Sequence, residues 1–124
     1  MTNNQALLVS NYCGILYGSK QITFGVANRL AKNAKIHNKL QQEVEEIKAR
    51  GKERNEDEKV ISEEIIKFGE SEFEGTFHVI DLAVVENLGY EEIPVVVNRA
   101  GKKVEENWKI SDMLISLQEL EIIK

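Results

Sequence analysis

A chain of 124 residues can build one core but not two, and 42% apolar with 30% charged residues places it among soluble globular domains rather than disordered or membrane proteins. A net charge of −5 excludes a general nucleic-acid binder, which needs a basic face, and no apolar run approaches the roughly 20 residues of a bilayer span. The opening MTNNQALLVS carries no basic stretch ahead of its apolar one, so the cytoplasm is the expected location.

In chain order, Ala6-Leu7-Leu8-Val9 reads as a short strand buried on both faces, running into Ser10-Asn11-Tyr12-Cys13-Gly14. Phe24, Ala27, Leu30, Ala31 and Ala34 recur at spacings of three and four, which predicts a helix. Ile36, Leu40, Val44 and Ile47 extend that stripe through highly charged sequence. Gly51 sits where a helix would be capped, Asn55 or Asp57 can cap the next one, and Val60, Ile61, Ile65 and Phe68 give it a stripe. The stretch from Ile36 to Phe68, extended to about residue 69, is therefore expected to be a helical hairpin inserted into the single domain. Its narrow stripes either pack on each other or leave apolar surface for another copy; the thinness of the stripes favours a homodimer or a higher even-numbered assembly.

Thr76–Asp81 reads as a strand, with Asp81 capping a short helix Leu82–Leu88 closed by Gly89; a continuous strand through Val85 is the competing reading, since short apolar runs do not distinguish the two. Ile93-Pro94-Val95-Val96-Val97 reads as a strand starting at the only proline, Asn98–Gly101 as a tight turn, and Lys102–Glu106 as an edge strand. Ser111 is the expected N-cap of a last helix with Leu114, Leu117 and Leu120 inward.

The segment LGYEEIPVVVNRAGKKVEENWKISDMLISL resembles the C-terminal half of thioredoxins and glutaredoxins, and Cys13-Gly14-Ile15-Leu16 resembles the active loop of monothiol glutaredoxins. The resemblance covers the two ends of the chain and skips the hairpin. It implies an α/β fold, a thioredoxin-like sheet with flanking helices. It also implies Cys13 as nucleophile, Pro94 as a cis-proline facing it, and the backbone of Ile93 available to hold an extended substrate or glutathione. A thiol at a helix N-terminus would gain thiolate character, which suits that role. Leu16 stands where a dithiol enzyme has its resolving cysteine, so intramolecular disulfide reduction is excluded. The competing reading makes Cys13 a small buried hydrophobe.

A second constellation, Gly14-Ile15-Leu16-Tyr17-Gly18-Ser19-Lys20 beside Tyr12, reads as a loop whose amides could hold a phosphate, although its spacing departs from the Walker pattern. Arg99 in the hairpin turn, with Lys102 and Lys103, could add positive charge. His37 and His78 fit no metal-ligand spacing. Two functions follow. One is a thioredoxin-like accessory protein working by monothiol chemistry at Cys13 or by binding a partner. The other is an oligomeric protein that sequesters a phosphorylated small molecule such as a nucleotide, in the manner of phage accessory proteins. Neither involves a membrane or requires a cofactor beyond glutathione.

Overall fold

The computed structural model describes residues 1–18, 24–81, 83 and 91–124. Helix α1 (Asn3–Tyr17) is followed by the long α2 (Phe24–Glu53) and by α3 (Glu58–Glu70); then come strands β1 (Glu92–Arg99) and β2 (Lys102–Lys109) and helix α4 (Ile110–Glu119). The described elements are thus mainly helical, with three N-terminal helices packed together and a β-hairpin leading into the last helix.

Ala6–Val9, expected as a strand, lies inside α1. The helix starts with a capping box: the Thr2 hydroxyl accepts the Gln5 N–H at 3.2 Å, and the Gln5 side-chain oxygen accepts the Thr2 N–H at 2.8 Å. Ala6, Val9, Cys13 and Leu16 face inward at spacings of three and four, while Leu8 faces outward. This is a helical stripe, although the contiguous apolar run disguises it as a strand.

Helix α2 spans 30 residues, about 45 Å at 1.5 Å per residue, and forms the spine of the molecule. It runs through Gly51, where a cap was expected, and ends at Glu53. Gly51 has a different purpose: a Cβ there would meet the Ile61 side chain at 2.5 Å, so the missing side chain lets α3 approach. The turn follows with Asn55 at φ 53°, and Asp57 caps α3 by accepting the Lys59 N–H. Leu40 and Ile47 are buried within the chain.

The principal core joins Val9, Cys13 and Leu16 of α1 and Val26 and Leu30 of α2 to Ile110, Met113, Leu114 and Leu117 of α4, with Ile80, Ile122 and Ile123 closing it. Among the described residues Thr76–Asp81 is not a strand of any sheet. It has one isolated bridge, Ile80 to Ile123, where the Ile80 N–H donates to the Ile122 carbonyl at 2.8 Å. Asp81 accepts the Ala83 N–H as an Asx turn would. The helix expected over Leu82–Leu88, and Gly89, lie outside the described residues apart from Ala83.

Among the described residues the thioredoxin-like sheet expected from the sequence is therefore absent. Residues 6–9 are helical, residues 76–81 show one isolated bridge among the described residues, and β1 and β2 form a two-stranded antiparallel ribbon. No peptide bond among the described residues is cis, so the expected cis bond before Pro94 is absent too. Pro94 occupies the third position of β1 rather than its first. Lys109, not Ser111, is the N-cap residue of α4, and no side chain caps it. Leu114 and Leu117 are buried as expected, and Leu120 packs at the core's margin.

The ribbon's own reading holds well. Ala100 and Gly101 have φ of 52° and 80°, the two positive values of a type I′ turn, and Arg99 pairs with Lys102 across it. Gly101 takes the left-handed conformation without penalty, whereas Ala100 carries a small strain.

Candidate functional site

Two regions contain the residues singled out by sequence: the interior around Cys13, and the β1–β2 ribbon. Cys13 is 0% exposed. It lies past the midpoint of α1 rather than at a helix N-terminus, so no helix dipole favours its thiolate. Burial pushes the thiol up from 9.0 to about 11, against a smaller opposing pull from Asn33, whose Nδ2 lies 3.7 Å from Sγ.

Asn33 is the polar residue that sequence reasoning missed. Fully buried on α2, it accepts the His78 N–H at 2.7 Å and donates to the His78 carbonyl at 2.9 Å. Its amide thus pairs with both backbone groups of His78 as a neighbouring strand would, satisfying its own buried donor and acceptor at the same time. Only its position on the inner stripe of α2, among apolar residues, hinted at this task.

The expected phosphate loop is not a loop where it is described. Gly14 lies inside α1 against the Ala34 side chain, so its amide belongs to the helix; the Gly18 N–H donates to the Ile15 carbonyl at 3.1 Å as the helix closes. Ser19 and Lys20 lie outside the described residues. Arg99 is engaged too, its guanidinium meeting Glu106 at 2.8 Å. A separate cleft of about 330 Å³ lies between the α1 start, α2 and the segment after α3, lined in part by Leu40 and Phe68; its Lys39 is offset by Glu43. Among the described residues no three His, Cys, Asp or Glu side chains gather to hold a metal.

The structure does bring Tyr12 and Ile93 together, around Trp108. Tyr12 meets the Trp108 ring edge-on at a centroid distance of 6.1 Å, and Ile93 pairs with Trp108 across the ribbon. This contact, with the Ile110 N–H donating to the Glu91 carbonyl at 2.9 Å, anchors the ribbon's base on the helices. Pro94 lies beside it on the opposite, exposed face.

Away from the base the ribbon is poorly covered. One face carries Val95, Val97 and Val104 in succession, and Val104 is 41% exposed; on the other face Val96 is 65% exposed. Among the described residues neither ribbon edge pairs with a further strand. An isolated two-stranded hairpin is marginal in water, so a ribbon with valines open on both faces invites covering.

The fold and this surface define a small, mainly helical protein carrying a β-ribbon arm. Compared with family models, curated proteins and solved structures, the chain matches none. No helix among the described residues is long and apolar enough to cross a membrane.

Proposed function

We propose that this chain is a non-catalytic binding protein whose working surface is the β1–β2 ribbon, held out by the helices for a protein partner to cover. The carrying observation is the ribbon itself: open edges and a valine face, beyond a base fixed by Trp108, Tyr12 and Ile93. Exposed edges supply backbone donors and acceptors, and the alternating valines supply side-chain pockets and ridges, which together suit recognition by strand addition. The environment of Cys13 supports the same reading from the other side. A thiol without solvent contact, and with its pKa raised, serves packing better than nucleophilic attack.

The test is comparative capture from the cells that make the protein, using the full chain, Val97→Lys on the ribbon, Ile66→Lys on the exposed side of α3, and Cys13→Ala. The proposal expects a partner retained by wild type, Ile66→Lys and Cys13→Ala, and lost by Val97→Lys. A partner that survives Val97→Lys but is lost with Cys13→Ala would overturn it.

A further inference from the structure

We infer that the ribbon pairs with a second copy of itself, the outer edges of the two β2 strands running antiparallel about a two-fold axis at Val104, so that two hairpins become one four-stranded sheet. Which backbone groups face outward follows from the turn. A two-residue turn makes its closing pair, Arg99 and Lys102, hydrogen-bonded, and bonded and unbonded pairs then alternate along the ribbon. Val97–Val104, Val95–Glu106 and Ile93–Trp108 are bonded inward. Asn98–Lys103, Val96–Glu105, Pro94–Asn107 and Glu92–Lys109 point their backbone groups out. Pro94 falls on an outward position, where its missing N–H costs the ribbon nothing. That same proline leaves a gap in the outer edge of β1, whereas the outer edge of β2, which pairs with no further strand among the described residues, turns the amides of Lys103, Glu105, Asn107 and Lys109 outward.

The charges of β2 then select both occupant and register. The strand reads Lys102-Lys103-Val104-Glu105-Glu106, two cations and two anions placed symmetrically about a valine. With the axis at Val104, Lys103 faces Glu105 of the second copy in a bonded pair, Lys102 faces Glu106 of the second copy, and the two Val104 side chains meet. Every charged residue of the overlap opposes its opposite, and the outward amides of Lys103 and Glu105 are the ones the ladder uses.

Neighbouring registers fail. An axis at Lys103 sets lysine against lysine, and an axis at Glu105 or Glu106 sets glutamate against glutamate. An axis between two residues opposes outward amides to inward ones. An axis at Asn107 drives the tip of the second ribbon into α4, which begins at Ile110. Charged edge residues ordinarily discourage strand pairing, so this pattern favours its own copy over strands of a different charge sequence. Lys103 and Glu105 are exposed and take part in no ion pair within the described chain, and Glu106 is already oriented by Arg99. Pairing also extends the valine face, since opposed residues share a side: Val97, Val104 and their counterparts become continuous across four strands.

This inference deepens the proposed function by naming one occupant of the ribbon's edge, and it is read from the protein alone, so its failure leaves the valine face as a separate question. The experiment is light scattering and sedimentation of the purified full chain, wild type and charge-reversed. Wild type is expected to reach twice the 14.1 kDa chain mass at micromolar concentration. Lys103→Glu and Glu105→Lys are each expected to weaken self-association at least tenfold. An equimolar mixture of the two variants should associate again, because each supplies the charges the other lacks. In wild type, exchange of the Lys103 and Glu105 amides should slow as concentration rises, a readout that needs no variant. A wild type at 14.1 kDa throughout the concentration range overturns the inference. So does a dimer whose mass the two reversals leave unchanged, or a mixture of folded variants that stays monomeric.

Discussion

Replacing Cys13 tests whether its thiol is packing or chemistry, and the two roles differ in how they depend on pH. Cys13 is buried in the same core as Val9, Leu16 and Leu30, and among the described residues Sγ has one weak polar contact, the Asn33 amide. Cys13→Ala removes a buried sulfur and leaves a small void, at a cost of about 1–2 kcal/mol from lost burial and cavity formation. Cys13→Ser keeps the volume nearly constant but buries a hydroxyl, adding about 1–3 kcal/mol where its hydrogen bonding is incomplete. Below pH 9 the thiol is protonated in both folded and unfolded chains. Between 9.0 and about 11 the unfolded thiol ionises while the folded one stays neutral, so stability is lost as pH rises through that window. At 1.36 kcal/mol per tenfold, that loss approaches about 2–3 kcal/mol. Urea unfolding of wild type and Cys13→Ala at a series of pH values from 8 to about 11 isolates it, because the lysines and tyrosines are common to both proteins. Wild type should lead at pH 8 and its advantage should shrink or reverse toward pH 11. An advantage that stays constant over the range would mean that the folded thiol ionises normally, and the enclosed-thiol reasoning would fail.

Other substitutions probe the positioning elements. Asn33→Ala leaves both His78 backbone groups without their partner and should cost about 2–3 kcal/mol; alkylation of Cys13 should accelerate in parallel as residues 76–80 loosen. Gly101→Val forces a branched side chain to φ 80° and should cost the ribbon about 1–2 kcal/mol. Amide exchange should then rise in β1 and β2 while α1 and α2 keep their protection. Gly51→Val sets new methyl groups against Ile61 and should destabilise the α2–α3 contact by about 1–3 kcal/mol, seen as faster exchange in α3.

The ribbon was legible because its signals are local. The apolar run Val95–Val97 behind Pro94 and the Ala100-Gly101 turn act within eight residues of each other, and no distant contact is needed to interpret them. Most of α2 and α3 was legible from stripes at Leu40 and Ile47 and from the Asp57 cap. The ends of the chain were not. Ala6–Val9 satisfies a buried strand and one turn of a buried helix equally, and the choice is made by Cys13 and Leu16 continuing the inward stripe and by Thr2 capping it. The thioredoxin-like topology depended on that strand and on residues 76–81, which are held by Asn33 and Ile123 rather than by a sheet. Those partners are 45 and 43 residues distant from His78 and Ile80, beyond any local pattern. Cys13 inherited its expected nucleophile's position from the same misread strand. At the ribbon's tip, Lys102 and Lys103 were legible as edge charges, but their symmetry with Glu105 and Glu106 acquires meaning only once the register shows which amides face outward.

The most direct test of the ribbon as working surface is photo-cross-linking in the cells that make the protein, with a benzophenone side chain at position 97 or, for comparison, at position 66 on α3, in both wild-type and Cys13→Ala chains. The predicted result is an adduct from position 97 whose mass differs from that of two joined chains, formed equally in the Cys13→Ala background and missing from position 66. An adduct formed only from position 66, or one from position 97 that disappears with Cys13→Ala, would contradict the ribbon's role and return attention to the helices or the thiol.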